Sequence, residues 1–264
     1  TTLKLETTVG PIEIPKFDSF VKGNEFLKLL SQSIDDRGSY DVFEKLALGK
    51  GLIQEEDLGV VKTLFSKLKA LHRASKDSFW PIIFRNSFAP VMIRDKFDFV
   101  VGNPPWIAWK AMSKSYRAGT LTIWQSYGIF EKNAYDKKTT HDDFGMAVTY
   151  VSVDQYLKVG GSMVFLLPAS FLKSTKGGEG FRKFSIIRNG QSIPFKVEEV
   201  HDFSCVSLFT IPTVAIKFSK GTEMTYPMNR YRFYTQIGRK SKIDSHANWD
   251  YVQSILEYCD KLAQ

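Results

Sequence analysis

The sequence predicts an α/β fold, a mostly parallel sheet flanked by helices, with a helical insertion near its amino-terminal end. Two compact apolar runs, Phe97-Asp98-Phe99-Val100-Val101-Gly102 and Ser162-Met163-Val164-Phe165-Leu166-Leu167-Pro168, are bounded by charge and glycine as buried strands are. Between them, Phe144 to Lys158 has the pattern of an amphipathic helix that stops at Gly160-Gly161. Strand–helix–strand alternation with apolar strands favours a parallel sheet covered on both faces.

Residues 10–20 read as a short extended piece ending in a turn. From Asn24 to about Ser75 the pattern is helical. Phe26, Leu27, Leu29 and Leu30 come first, then Val42, Phe43 and Leu46, then Leu58, Val61, Leu64, Phe65, Leu68 and Leu71 at three- and four-residue steps. Gly38, Gly49-Lys50-Gly51 and Gly59 divide this stretch into an insertion of two or three helices. The first buried strand runs straight into Asn103-Pro104-Pro105-Trp106. Residues 107–142 are polar, aromatic and irregular, and read as a long loop with a helical turn or two. Beyond the second strand, Gly180 to Ile187 suggests a short helix, Val197–Val200 a strand, and Val214–Phe218 a late strand that can run antiparallel to its neighbour. One domain is expected over residues 1–235, with the insertion at about 24–75. Residues 236–264 read as a helical extension or the start of a further region.

The 264 residues, 43% hydrophobic and 24% charged, suit a folded domain and exclude a disordered chain. The longest apolar stretch, Met163 to Leu172, contains Pro168 and is about half the length of a membrane span. Thr1-Thr2-Leu3-Lys4-Leu5-Glu6 lacks the layout of a signal peptide, so the expectation is a cytoplasmic protein with no membrane partner. Two cysteines and four scattered histidines, none at metal-ligand spacing, predict neither a disulfide framework nor a metal site. A formal charge of +8 favours a polyanionic partner. Between Lys217 and Lys242 seven basic residues face one acid, a local net charge of +6, with Tyr226, Tyr231, Phe233 and Tyr234 interleaved. Such a mixture suits phosphate contacts and base stacking as well as it suits a plain solvated face. Lys217, Arg230 and Arg232 are the candidate contacts to a DNA backbone.

A buried strand that ends in Asn-Pro-Pro-aromatic makes an unusual corner. Two consecutive prolines fix φ and remove two backbone donors, so the turn is stiff and its carbonyls point in set directions. Asn103 adds a side-chain carbonyl and an amide, and Trp106 a large flat face. Ligands of open α/β sheets gather at the carboxyl ends of strands, where this corner falls. Acceptor carbonyls beside an aromatic face suit a planar ring that carries an amine.

Phe97 to Trp106 resembles the catalytic motif of amino-methylating DNA methyltransferases, a hydrophobic strand followed by Asp/Asn/Ser-Pro-Pro-aromatic. Tyr156-Leu157-Lys158-Val159-Gly160-Gly161, Met163 to Leu172, Gly180-Phe181-Arg182-Lys183-Phe184, Val200-His201-Asp202-Phe203, Leu208-Phe209 and Val214-Ala215-Ile216 are similar to the post-catalytic half of that family. The nearest likeness is to the N6-adenine enzymes of single-chain restriction–modification and phage-defence systems, over roughly residues 10–235. The resemblance implies a partial Rossmann-like methyltransferase domain that uses S-adenosyl-L-methionine on double-stranded DNA. It also implies that the target base leaves the helix, because its amino group is otherwise paired. Asn103 and the Pro104 carbonyl would accept the two amino hydrogens, with Pro105 stiffening the corner, and direct the nitrogen lone pair at the donor methyl. Trp106 would stack on the base, Phe209 would be a second aromatic against it, and Asp18 would contact the adenine of the donor.

The resemblance is incomplete. Only seventeen residues precede Asp18, with one glycine, Gly10, where the family has a glycine-rich donor loop. Gly177-Gly178-Glu179-Gly180 follows the wrong strand to replace it. The expectation is therefore a catalytic half that works with the remainder of a parent polypeptide, namely a donor-binding half and a target-recognition domain, and is inactive alone. The alternatives are a methyltransferase for RNA or for a protein glutamine side chain, which shares Asn-Pro-Pro-aromatic, and a non-catalytic DNA-binding module. Asp142 or Asp143 is either adjacent to the site or the N-cap of the following helix, with the cap favoured.

Overall fold

The computed structural model describes residues 2–5, 10–73, 90, 93–130, 142–173, 178–188, 190–207, 209–238, 242–244 and 246–263. The chain divides into two compact units, Thr1–Arg94 and Asp95–Gln264.

In the first unit, β1 (Thr2–Leu5) and β2 (Ile12–Pro15) form an antiparallel hairpin. Three helices follow, α1 (Phe20–Asp35), α2 (Tyr40–Gly49) and α3 (Leu58–Arg73). Ser19 and Ser39 cap the first two by accepting from the backbone N–H three residues on, at 3.2 and 3.4 Å. The recurring apolar positions meet in one core: Phe43 stacks on Phe65 at 5.3 Å, and Phe26 meets Phe43 edge to face at 5.8 Å. Lys67 donates to the Pro11 carbonyl at 2.7 Å and ties α3 to the hairpin.

The second unit is a sheet of seven strands: β3 (Phe97–Gly102), β4 (Leu157–Pro168), β5 (Ser185–Arg188), β6 (Gln191–Cys205), β7 (Thr213–Lys220), β8 (Met228–Gln236) and β9 (Leu256–Ala263). Its order is β3-β4-β7-β6-β8-β9, with β5 on β6. The α/β class is as expected, and the sheet is mixed. β3–β4 and β6–β8 pair in parallel; β4–β7, β6–β7, β5–β6 and β8–β9 are antiparallel. Because β7 runs against both β4 and β6, the strands β3, β4, β6 and β8 all point the same way. Their carboxyl ends share one edge of the sheet.

Several elements differ from the expectation. Within residues 107–142, helix α4 (Lys114–Ser126) is a full 13-residue helix capped by Ser113, while residues 131–141 lie outside the described set. Helix α5 (Phe144–Gln155) is buried on nearly all sides rather than amphipathic, since Met146, Ala147, Thr149, Tyr150, Val153 and Asp154 are all enclosed. Gly160-Gly161 does not stop that helix; it lies inside β4, at an irregularity where Phe97 pairs with Leu157 and Phe99 already with Ser162. A Cβ on Gly161 would sit 3.0 Å from the Asp98 carbonyl, so glycine lets the β3 backbone come close. After β4 comes a single helical turn, α6 (Ser170–Lys173), and the short helix expected over Gly180 to Ile187 is one 3-10 turn, Phe181–Lys183, followed by β5. Among the described residues of 236–264 there is one short helix, α7 (Trp249–Ser254), and the strand β9, which extends the main sheet. Among the described residues no helix is long and apolar enough to cross a membrane.

Candidate functional site

The corner Asn103-Pro104-Pro105-Trp106 leaves β3 at the sheet edge where the four co-directional strands end. Asn103 and Pro105 are exposed, Pro104 is buried and Trp106 is half-buried. The Trp106 indole N–H donates to the Leu166 carbonyl of β4 at 3.1 Å, which fixes the ring beside the sheet. The chain beyond it is clamped. The Phe144 N–H donates to the Ile107 carbonyl at 2.9 Å, and the Trp109 N–H to the Asp142 carbonyl at 2.8 Å, with Ala108 bridged to Asp143. Trp109 then packs edge-on against Trp124 and Phe130 in the core.

Phe209, 44% exposed, lies in the β6–β7 connection. The Ala169 N–H donates to the Pro212 carbonyl at 2.9 Å, tying that connection to the end of β4. The result brings Phe209 to Trp106, centroids 5.6 Å apart and planes at 67°. Two rings in contact edge to face leave no slot between them. They make an L-shaped corner against which a third flat ring can lie, its face on one and its edge on the other.

Asp142 and Asp143 join the clamp instead of pointing to solvent. Asp142 Oδ1 accepts from the Gly178 N–H at 2.6 Å. Asp143 is the N-cap of α5 and accepts from the Gly145 N–H at 2.9 Å. Burial pushes the Asp143 carboxyl up to about 6, against the opposing pull of the Gly145 and Ile107 backbone groups. Nothing in the sequence pattern identifies the pairing of residues 107–109 with 142–144, because it joins positions far apart in the chain.

Within the second unit, the candidates Lys217, Arg230 and Arg232 lie on β7 and β8 rather than at this corner. Asp18 lies in the first unit, 75% exposed and 3.6 Å from Lys22. Lys217 is held by Glu198 at 2.8 Å, and Lys217 in turn keeps the Glu198 carboxyl below its ordinary range. Arg232 pairs with Asp260 at 2.9 Å and lies over the Tyr258 ring, whereas Arg230 is exposed. The +6 stretch is thus less free than its count suggests. Lys220 is buried, Lys217 and Arg232 have carboxylate partners, and Arg239 and Lys240 lie outside the described residues. Its aromatics also divide: Tyr231 is buried and bonded to Asp202, while Tyr234 stands on the opposite face of β8.

Residues 16–209 match the model of the Eco57I restriction-modification methylase family. Among curated proteins, the Type II methyltransferase M.HincII of Haemophilus influenzae is 32% identical over 112 residues, 42% of this chain and 20% of the relative. M.HindII from the Rd strain of that species is 32% identical over the same length, 42% of this chain and 19% of the relative. The matched stretch is about a fifth of the length of these relatives. Among solved structures, the Type IIL restriction-modification enzyme MmeI in complex with DNA is similar with a TM-score of 0.34 at 15% identity, over 60% of this chain and 20% of that one. A modification subunit of a putative type I restriction enzyme from Vibrio vulnificus gives 0.36 at 13% identity, over 63% and 34%. The family model runs from just before α1, through the proline corner and its clamp, to Phe209, and on that match the chain belongs to the Eco57I restriction-modification methylase family.

Proposed function

We propose that this chain is the base-holding half of a DNA methyltransferase that acts on adenine N6, within a larger restriction–modification or phage-defence enzyme. The observation that carries this reading is the corner itself. Exposed Asn103 and the stiff Pro104-Pro105 turn stand beside an L of two aromatic rings, at the carboxyl edge of the sheet. An extruded base lies with its face on one ring of the L. The Asn103 side-chain oxygen and the Pro104 carbonyl accept the two amino hydrogens, which leaves the nitrogen lone pair as the nucleophile. The proline turn sets the Pro104 carbonyl before the base arrives, and the contribution of this chain is positioning and oriented dipoles. The choice of adenine rests on the family resemblance, since any planar exocyclic amine would satisfy the two acceptors. Arg230, exposed on β8, is the candidate backbone contact to double-stranded DNA best placed to act, because Lys217 and Arg232 are already paired.

The family relation implies S-adenosylmethionine as the methyl source. Asp18, the candidate contact to it, is exposed and pairs with Lys22 among the described residues. The donor site belongs in large part to the remainder of the parent polypeptide. The open edge of β3 supports this. Among the described residues it pairs only with β4, and Phe99 and Val101 are 77% and 80% exposed. An unpaired apolar edge is one that native proteins cover.

Methyl transfer by the intact parent enzyme to DNA, RNA and protein substrates tests the reading. DNA is the expected acceptor, and Asn103→Ala is expected to lower the rate by about 10²–10³-fold, the usual cost of losing one oriented dipole. Undiminished transfer by Asn103→Ala overturns it, and transfer to RNA or glutamine instead of DNA selects the alternative acceptors. Titration calorimetry of this chain with the donor is expected to show binding weaker than micromolar; micromolar affinity would overturn the division of the donor site.

A further inference from the structure

Beside the proline corner the described residues form a groove of about 1050 Å³. It opens between the face of β6 and β8 and the segment leading into α7, lined among others by His201, Phe203, Phe209, Tyr234, Lys242 and Trp249. Strand alternation puts His201 and Phe203 on one face of β6, across from Tyr234 on β8. Phe203 and His201 each stack on Tyr234. Phe203 and Tyr234 are 4.7 Å apart at 23°, and His201 and Tyr234 are 5.8 Å apart at 24°. A hydrogen bond of 2.9 Å between His201 Nδ1 and the Tyr234 hydroxyl, with Glu199 3.1 Å from His201 Nε2, holds that row in place. Trp249 stands at the groove 67% exposed.

Position and chemistry agree on an occupant. Phe203 and Phe209 lie at the carboxyl end of β6, and β6 points the same way as β3, so the groove and the Asn103 corner share one edge of the sheet. Phe209 belongs to both: its ring touches Trp106 and also lines the groove. A row of aligned flat rings offers stacking to another flat ring and little to an aliphatic chain. An exposed cation, Lys242, stands in the lining, on a chain of net charge +8. Asp244, the acid in the lining, is engaged in accepting from the His246 N–H at 2.7 Å. Flat faces with a cation beside them fit an anionic polymer of aromatic bases.

We propose that the groove between β6, β8 and α7 is a second nucleobase site, which takes the unpaired base opposite the target base that lies against Trp106. The target-base half of this statement rests on the function proposed above; the groove's affinity for bases does not. Extrusion of the target leaves the base opposite it unpaired, and the ring row next to Phe209 supplies a surface for it to stack on. The volume is at the upper end of the roughly 300–1,000 Å³ of pockets that hold small ligands, so a nucleotide enters with its sugar and phosphate.

The test measures binding of the 264-residue chain to two fluorescein-labelled 12-nucleotide single strands by anisotropy. One is oligo-dT and the other an abasic strand of the same length and charge. The base-bearing strand is expected to bind tighter by about 5- to 150-fold, the range for one base stacked on an aromatic side chain. Trp249→Ala and, separately, Phe203→Leu are expected to close most of that gap while leaving abasic binding unchanged. Equal affinity for both strands, or no binding of either, overturns the proposal. A gap that survives both substitutions places the stacked base elsewhere and overturns it too. This readout requires no methyl transfer, so its failure is separate from failure of the Asn103 assay.

Discussion

The two ends of the six-residue strand β3 are built by opposite rules. At the amino end, Lys220 is 1% exposed, and its ammonium donates to Asp95 at 2.9 Å, to the Asp154 carbonyl at 3.0 Å and to the Leu157 carbonyl at 2.6 Å. Arg188 closes the same network from β5, reaching Asp95 at 3.1 Å and the Asp154 carboxylate as well. Burial opposes ionisation of Asp95, yet the bonds and charges of Lys220 and Arg188 outweigh it and hold that carboxyl below its ordinary range. Every donor of the buried ammonium is used. At the carboxyl end, Asn103 is exposed and the ring pair of Trp106 and Phe209 is left half open. The sheet encloses polar groups at one end and displays them at the other, and the function proposed here gives the displayed end to the ligand.

The sharpest way to break this contrast is Lys220→Met. It leaves the buried Leu157 carbonyl without its side-chain donor, and the Asp154 carbonyl and Asp95 with Arg188 alone. A loss of about 2–4 kcal/mol in urea-unfolding stability at pH 7 is expected, the lower end reflecting the partial exposure of Asp95. Because the Asp95 pKa is depressed in the folded state, its contribution is present above the unfolded value and lost as pH falls through the folded one. The gap between wild type and variant should therefore narrow under acid. A loss below 1 kcal/mol at neutral pH would show that this edge is not the structural one.

Asp143 behaves with the opposite sign. Its folded pKa of about 6 lies above the ordinary 3.8, so the folded chain holds the proton more tightly than the unfolded chain. Stability from this group is full below about pH 4, declines as pH rises through 6, and stays lowered above that. Asp143→Asn keeps an N-cap and removes the titration. The variant should match wild type at pH 4 and exceed it at pH 7 by up to about 3 kcal/mol, the equivalent of that shift. Parallel stability curves from pH 4 to 7 would place the carboxylate in a wetter setting than the clamp gives it.

Much of the proline-corner edge could be read from the sequence, and little of the opposite edge. Phe97–Gly102 announces itself as a strand because its apolar residues are contiguous, and the two prolines mark its end by local chemistry alone. Lys220 looked like one of seven phosphate-seeking cations; only the antiparallel return of β7 to the start of β4 carries it into a buried network. Gly160-Gly161 was legible as a break but not as its kind, since the same dipeptide ends a helix or relieves a crowded strand. Phe209 came within reach of Trp106 through the family resemblance, and the tie between Ala169 and Pro212 that holds it there leaves no mark in composition. Tyr234 and Phe203 were two aromatics among many until strand alternation put them on one face.

Trp106→Phe sharpens the comparison at the open edge. The smaller ring keeps a face for Phe209 but loses the hydrogen bond from the indole to the Leu166 carbonyl at 3.1 Å. The expected cost is about 1 kcal/mol, the net worth of a typical intramolecular hydrogen bond, read as a shift in the urea midpoint with an unchanged slope. A change in slope would mean that Trp106 organises more of the edge than its own position.

Asn103→Ala should do least to the fold and, under the function proposed here, most to the chemistry. The side chain is exposed, outside the ring pair and outside the core, so its removal is expected to move unfolding stability by no more than about 0.5 kcal/mol. Against that small number stands the 10²–10³-fold loss of methyl transfer expected of the intact enzyme. The two measurements separate a residue kept for a ligand from one kept for the fold, because a structural asparagine would move both together. A destabilisation as large as that of Lys220→Met would erase the difference between the two ends of β3, and with it the reason for assigning the base to this one.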